Sequence, residues 1–280
     1  MSDHASEITR GERFEFGANW RRFLDSLTPQ RVAEAERSLC EMLGCDDLRG
    51  KRFLDVGSGS GLFSLAAYRL GARVRSFDFD PESIACTAAL REKFSADDDR
   101  WQIETGSALD ATFLARLGSF DVVYAWGVLH HTGDMWRALA KLVPLVAPGG
   151  QLFLAIYNHQ PLWTPPITLL KRTYVASPRP IKFVLAASSM AFHATGGFVK
   201  DILRFRNPLA RYRNYDRLRG MSWWHDQLDW VGGYPFETAT PEEITGFFEP
   251  RGFRVERLAL CRRGSSGCNQ FVFRKEPADG

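Results

Sequence analysis

The stretch Leu54-Asp55-Val56-Gly57-Ser58-Gly59-Ser60-Gly61 sets three glycines at alternate positions after a short apolar run, and an apolar segment, Leu62–Leu70, follows it. Arg52–Val56 reads as a buried strand and Leu62–Leu70 as a helix, so the glycines form the turn between them. Such a turn lets the backbone approach a ligand with no side chain in the way. Amide N–H groups at the helix start then face that ligand and favour a carboxylate or phosphate. Two common uses of a glycine-rich turn do not fit. A dinucleotide fingerprint needs its third glycine where this chain has Leu62, and no lysine follows to make a P-loop.

Working outward, strands and helices alternate: strand Arg73–Phe77 ending in Asp78, helix Pro81–Phe94, strand Trp101–Glu104, helix Ala111–Leu117, strand Phe120–Tyr124, helix Met135–Val146 and strand Gln151–Ile156. This alternation predicts right-handed βαβ units, hence a parallel sheet with helices on both faces. Asp78 lies 23 positions after Asp55. At the end of the second strand a carboxylate can accept hydrogen bonds from both hydroxyls of a ribose. Upstream, Leu24–Leu43 reads as an amphipathic helix, with Thr28 and Pro29 fitting a helix start and Gly44 its end.

The regularity stops at Tyr157. Residues 158–232 hold six prolines, four tryptophans and a basic run, too long for a simple connection, which predicts a helical insertion or cap with its own packing. Within it Phe183–Val199 carries no charged residue but is too short and too polar to span a bilayer. A buried cap helix is the expectation there, with a membrane-surface helix as the alternative, since nearby bases suit anionic lipid. A helix at Pro241–Pro250 and strands Arg254–Cys261 and Asn269–Lys275, joined by a loop of Gly and Ser, read as a closing helix and hairpin.

The 280 residues carry a net charge of +3, unevenly: residues 151–280 hold 18 Lys/Arg against 11 Asp/Glu, and residues 1–150 hold 18 against 22. Lys200, Arg204, Arg206, Arg211, Arg213, Arg217 and Arg219 concentrate the excess, which reads as a solvated helix face. The five cysteines lack paired spacing, so neither a disulfide framework nor a metal site is expected. Met1–Gly17 carries acids and no apolar core segment, which predicts no secretory signal and a cytoplasmic protein.

The chain resembles the class I S-adenosylmethionine-dependent methyltransferases. The resemblance runs from Lys51 to about Tyr157 and rests on LDVGSGSG (54–61), SFDFDP (76–81), GSALD (106–110), FDVVYAWGVLHHTGD (120–134) and LVAPGGQLFLAIYN (145–158). It implies an α/β fold, a Rossmann-like seven-stranded sheet of order 3-2-1-4-5-7-6 with the last strand antiparallel, here with a helical cap after strand five. The expected organisation is an N-terminal segment, 1–50, covering the cofactor site; a core, 51–157; a cap, 158–236; and a closing helix and hairpin, 237–280. The resemblance further implies that Asp55, Gly57, Ser58, Gly59 and Gly61 hold the methionine part of S-adenosylmethionine. By the same resemblance Asp78 and Phe79 hold the ribose and one adenine face, Ser107 and Ala108 the adenine edge, and Trp126 and Gly127 the methyl-donor side. Phe16 and Trp20 belong to the same expected cofactor site. FEFGANW (14–20), MSWWHDQLDWVGGYPFE (221–237) and GCNQFVF (267–273) resemble a bacterial subgroup of that family.

A sulfonium already activates its methyl group, so transfer needs an aligned nucleophile, exclusion of water and sometimes a base. His131, after His130 at the mouth of strand four, is the first candidate base because imidazole titrates near neutrality. A structural histidine is the alternative. Tyr157 and Asn158 leave strand five at the same edge, and His225 with Asp226 form a second pair. Trp20, Trp163, Trp223, Trp224 and Trp230 read either as a lid over the acceptor or as the core of the cap. The expected partner is a small-molecule acceptor methylated on oxygen or nitrogen, with no nucleic acid and no membrane insertion, and with homodimerisation open. The rivals are an RNA methyltransferase gripping phosphates with residues 200–219, and a non-methylating user of S-adenosylmethionine such as an intramolecular cyclase or a binding module.

Overall fold

Four successive residues of β1 (Arg52–Val56) are buried because its sheet is covered on both faces. Phe53 packs into one core and Leu54 and Val56 into the other, as the two-residue period of a strand requires. The computed structural model describes residues 4–14, 17, 20, 27–94, 99–203, 205, 207, 223–262 and 267–277. Of the expected site residues Phe16 lies outside them, as do the side chains of Trp223, Trp224, His225 and Asp226 and most of the basic run at 200–219.

Helices α1 (His4–Thr9) and α2 (Pro29–Leu43) precede β1; then follow α3 (Leu62–Arg69), β2 (Arg73–Asp78), α4 (Pro81–Phe94), β3 (Trp101–Thr105), α5 (Ala111–Ala115), β4 (Phe120–Trp126), α6 (Met135–Leu142) and β5 (Val146–Tyr157). The insertion forms α7 (Thr164–Ala176), α8 (Arg179–Ile202) and α9 (Trp223–Gly232), and α10 (Pro241–Phe248), β6 (Phe253–Ala259) and β7 (Cys268–Lys275) close the chain. The seven strands lie in the order β3-β2-β1-β4-β5-β7-β6, as expected. β7 runs antiparallel to both its neighbours, and the other pairs formed by β1–β5 are parallel. The order reverses between β1 and β4, which opens the crevice where such sheets take ligands.

Several boundaries differ from the sequence reading, each for a local reason. α2 begins at Pro29, not Leu24, because Thr28 is extended and its hydroxyl caps the Arg31 N–H. α6 ends at Leu142: Pro144 has no N–H for another helical bond, so a 3₁₀ turn, Val143–Leu145, follows. β5 starts at Val146, ahead of Gln151, with an irregular register against β4 between Phe120 and Val122.

In the cap, α7, α8 and α9 enclose a small core of Tyr174, Val175, Ala186 and Val231. α8 is buried on that side only; its other face is exposed, so the expectation of a buried helix holds for half of it. The cap rejoins the sheet where Ala239 N–H donates to the Tyr157 carbonyl and His159 N–H to the Ala239 carbonyl. A reciprocal capping box between Thr240 and Glu243 then starts α10. Among the described residues no helix is long and apolar enough to cross a membrane.

Candidate functional site

At the carboxyl end of β1 the backbone turns through Gly57, Gly59 and Gly61, all left-handed, with φ of 74°, 54° and 79°. Gly57 and Ser58 donate their N–H groups to the Phe77 carbonyl, at 2.8 and 3.1 Å, which pins the turn against β2. A Cβ on Gly57 would lie 2.4 Å from Val128, and one on Gly59 3.1 Å from the Trp20 indole. The N-terminal segment therefore touches the turn directly. Ser58 meets the buried Thr87 hydroxyl at 3.0 Å, and Thr87 also donates to the Gly59 carbonyl.

Two carboxylates flank the turn. Asp55 is buried and accepts a 2.5 Å hydrogen bond from Ser64 Oγ. Ser64 meets Ser76 Oγ at 2.6 Å, and Ser76 accepts from Trp101 Nε1 at 2.8 Å. Ser64 has one proton and gives it to Asp55, so Ser76 must donate to Ser64, and every proton in the chain is directed at the carboxylate. Burial, with help from the Asp78 charge, pushes the Asp55 carboxyl up to about 7 against the hydrogen bond from Ser64. Tyr124, its register neighbour in β4, keeps a buried hydroxyl with no hydrogen-bond partner among the described residues. Asp78, half-buried, accepts from Gly59 N–H and Asp80 N–H, both at 2.9 Å, and burial raises it to about 6.

Three contributors here were not singled out in the sequence. Asp80 caps α4 through Glu82 N–H and accepts the Gly17 N–H at 2.8 Å, fastening the N-terminal segment to the turn. An Asp before Pro81 is an N-cap signal, but its second partner is 63 residues away in sequence. Thr87 has no local signal. Arg13 lies 5.2 Å over the Phe79 ring and donates to the His131 carbonyl at 2.8 Å, bridging the two halves of the crevice.

At the ends of β4 and β5, His130, His131, Tyr157 and Phe236 form one aromatic cluster, with His130 and Tyr157 ring centroids 4.2 Å apart. Among the described residues, neither nitrogen of the buried His130 has a hydrogen-bond partner. His131 Nδ1 lies 2.6 Å from the Pro235 carbonyl, so Nδ1 carries the proton and donates. Burial drives the His131 imidazole down to about 3, aided by Lys171 and Arg13 and opposed by the bond to Pro235, rather than leaving it to titrate near neutrality. The His130 carbonyl accepts the Glu237 N–H, so this short turn holds the end of the cap. Lys171 of α7 is buried, donates to the Trp230 carbonyl and sits 4.9 and 4.8 Å over the Trp230 and Phe236 rings.

The remaining expected residues divide. Ser107 Oγ accepts the Leu109 N–H within its own turn, and Ala108 is buried in the core. Trp126 is exposed, with its indole 3.3 Å from Gln270, and a Cβ on Gly127 would meet nothing within 4 Å, so the end of β4 borders open space. Asn158 accepts from Asn269 and is occupied in joining β5 to β7. Trp163 is exposed, whereas Trp230 packs on Lys171 and His193 inside the cap.

Residues 54–152 match the family model of a methyltransferase domain. Over 160 residues the chain is 33% identical to a ubiquinone biosynthesis O-methyltransferase of Xanthomonas oryzae pv. oryzae, an alignment covering 56% of this chain and 63% of that relative. The chain thus spans less than two thirds of the curated relative. Among solved structures it is similar to magnesium protoporphyrin IX methyltransferase from Synechocystis PCC 6803 with bound S-adenosylhomocysteine (TM-score 0.56, 15% identity, covering 96% of this chain and 99% of that one). It is also similar to an O-methyltransferase family protein from Burkholderia thailandensis (TM-score 0.53, 12% identity, covering 89% of this chain and 58% of that one). At these identities the likeness is one of fold.

Proposed function

We propose, from the premise that residues 54–152 form a class I S-adenosylmethionine-dependent methyltransferase domain, that this chain methylates an oxygen or nitrogen of a small molecule held beneath the 158–236 cap. The observation that carries the reading is the pair of carboxylates, Asp55 and Asp78, beside a glycine turn at the order reversal of the sheet. S-adenosylmethionine brings an ammonium and a sulfonium, and its ribose offers two hydroxyls. A buried carboxylate at about 7 gains from a nearby cation, and one at the end of β2 suits the hydroxyls. The residues therefore fit the group. When bound, it supplies an activated methyl; the protein has only to hold, align and exclude water.

In this reading Asp55 and the turn 57–61 take the methionine part, Asp78 the ribose, and Phe79 and Ser107 the adenine. Gly127 leaves room beside the methyl group. His131 acts by orientation: with Nδ1–H committed to Pro235, its Nε2 presents a lone pair, and at about 3 the imidazole stays neutral throughout the physiological range. It accepts a hydrogen bond from the acceptor without retaining its proton. His131→Ala is expected to lower kcat by roughly 10²-fold, the cost of a misplaced acceptor, with cofactor affinity little changed. The wild-type kcat profile should show no inflection near pH 6.5 that disappears in the variant; finding one would restore the base role.

Asp78→Ala is expected to weaken S-adenosylmethionine binding at least about tenfold, the equivalent of a charge-assisted hydrogen bond, and calorimetry measures it directly. The function is tested by incubating the protein with S-adenosylmethionine and a panel of phenols, carboxylic acids and amines, with mass spectrometry of the products. S-adenosylhomocysteine together with a methylated acceptor supports the reading. Methylthioadenosine would mean attack within the methionine chain, and no turnover across the panel would favour a binding module.

A further inference from the structure

Between Asp134 and Asp201 the chain has no aspartate or glutamate and seven lysines and arginines. α8 lies at the end of this interval, and its inner face, with Ala186, Ser189 and Met190, is buried in the cap. Positions 181, 184, 188, 192, 195, 199 and 202, spaced by three or four, form one stripe along the helix, and all are exposed. Five are large and apolar: Ile181 (48%), Val184 (59%), Phe192 (70%), Val199 (49%) and Ile202 (51%). The other two, Ser188 and Thr195, are uncharged, and no charged residue occurs from Phe183 to Val199. A helix face in contact with water ordinarily carries charge. An apolar stripe extending over ~32 Å, at 1.5 Å per residue, exceeds the scattered apolar side chains normal on a surface.

We propose that this stripe docks the protein onto the surface of an anionic lipid bilayer, with α8 in the plane of the interface and its apolar side chains among the headgroups. Charge selects this occupant. Arg179 and Lys182 stand at the start of the helix, and residues 200–219 bring seven bases against two acids immediately after the stripe. A stripe free of acids, with Arg179 and Lys182 at the start of its helix and a basic stretch following it in the sequence, complements lipid phosphates. A second copy of the chain would bring the same excess of positive charge to the contact, so self-pairing through α8 opposes like charges. The stripe is one-sided, its other face being packed on α7 and α9, which suits lying on a bilayer and not crossing one.

The test uses the whole protein and needs no enzymatic turnover, so it stands apart from the methyl-transfer reading. Flotation with vesicles of phosphatidylcholine containing phosphatidylglycerol is expected to carry the protein, and vesicles of phosphatidylcholine alone to carry much less. Val184→Glu combined with Phe192→Glu should reduce the partition coefficient at least about tenfold, since two anchors become anions facing an anionic surface. Both side chains are exposed, so the circular dichroism and melting temperature should match wild type; the milder Phe192→Ser should give a several-fold loss. The proposal is overturned by no binding to phosphatidylglycerol vesicles or by wild-type binding in the double variant. It is equally overturned by a dimer in light scattering that the double variant splits while vesicle binding is absent.

Discussion

Gly57→Val is expected to remove measurable S-adenosylmethionine binding, a loss above about 100-fold, and to destabilise the fold by roughly 2–5 kcal/mol. Two costs add. A branched residue at a φ of 74° carries the strain of the left-handed region, about 1–2 kcal/mol. Its Cβ would lie 2.4 and 2.5 Å from the two γ-carbons of Val128, and overpacking of this kind costs about 1–3 kcal/mol. If Val128 holds its place, the turn relieves the clash by leaving the Phe77 carbonyl, which moves Gly59 and Asp78 together. Combining Gly57→Val with Val128→Ala removes the two γ-carbon contacts, leaves the Val128 Cβ at 2.9 Å, and keeps the backbone strain. Thermal melting of that double variant should recover part of the stability, whereas a wild-type melt for the single variant would sink the account. Wild-type affinity in calorimetry would separate the turn from the cofactor.

Cofactor affinity should fall by more than about tenfold between pH 8 and pH 5. Burial raises free Asp55 to about 7 and Asp78 to about 6, so both are mostly protonated at pH 5. A ligand that needs both carboxylates charged must expel both protons there, and neither is bound at pH 8. The sign for stability is opposite to that of an ordinary salt-bridged acid. A folded-state value above the unfolded one means that these groups destabilise the free protein progressively as pH rises from about 4 to about 7. The shift in melting temperature caused by S-adenosylmethionine should therefore be larger at pH 8 than at pH 5. Asp55→Asn should remove the upper part of the titration, and an affinity that is flat from pH 5 to 8 in the native protein would rule out the coupling.

The parts of this fold that could be read from the sequence are those encoded locally. Strand, turn and helix around Gly57–Gly61, the N-cap at Thr28 and the alternation of β and α segments depend on neighbours a few residues apart. The order of the sheet came from the family resemblance, and the pairing of β7 with β5 and β6 agrees with it. Contacts made at a distance could not be read. Nothing near Asp80 in sequence announces Gly17, nothing near Arg13 announces His131, and the burial that depresses His131 is supplied by a cap more than 100 residues downstream. The early start of β5 was hidden by Pro148 and Gly149, which read as a turn before the strand. The apolar composition of α8 was plain, but which half of it faces the cap depends on α7 and α9.

The one-way chain of hydrogen bonds from Trp101 to Asp55 also constrains how this protein can diverge. Ser76 and Ser64 are fully buried, and each is donor to one neighbour and acceptor from the other. Replacing either alone strands a buried polar atom on both sides, at about 1–3 kcal/mol each, a large share of a domain's ~5–15 kcal/mol. Exchanging the whole set for apolar residues of matching volume avoids that penalty but removes Asp55. A variant that keeps the carboxylate is therefore expected to need a hydroxyl-bearing residue at both positions.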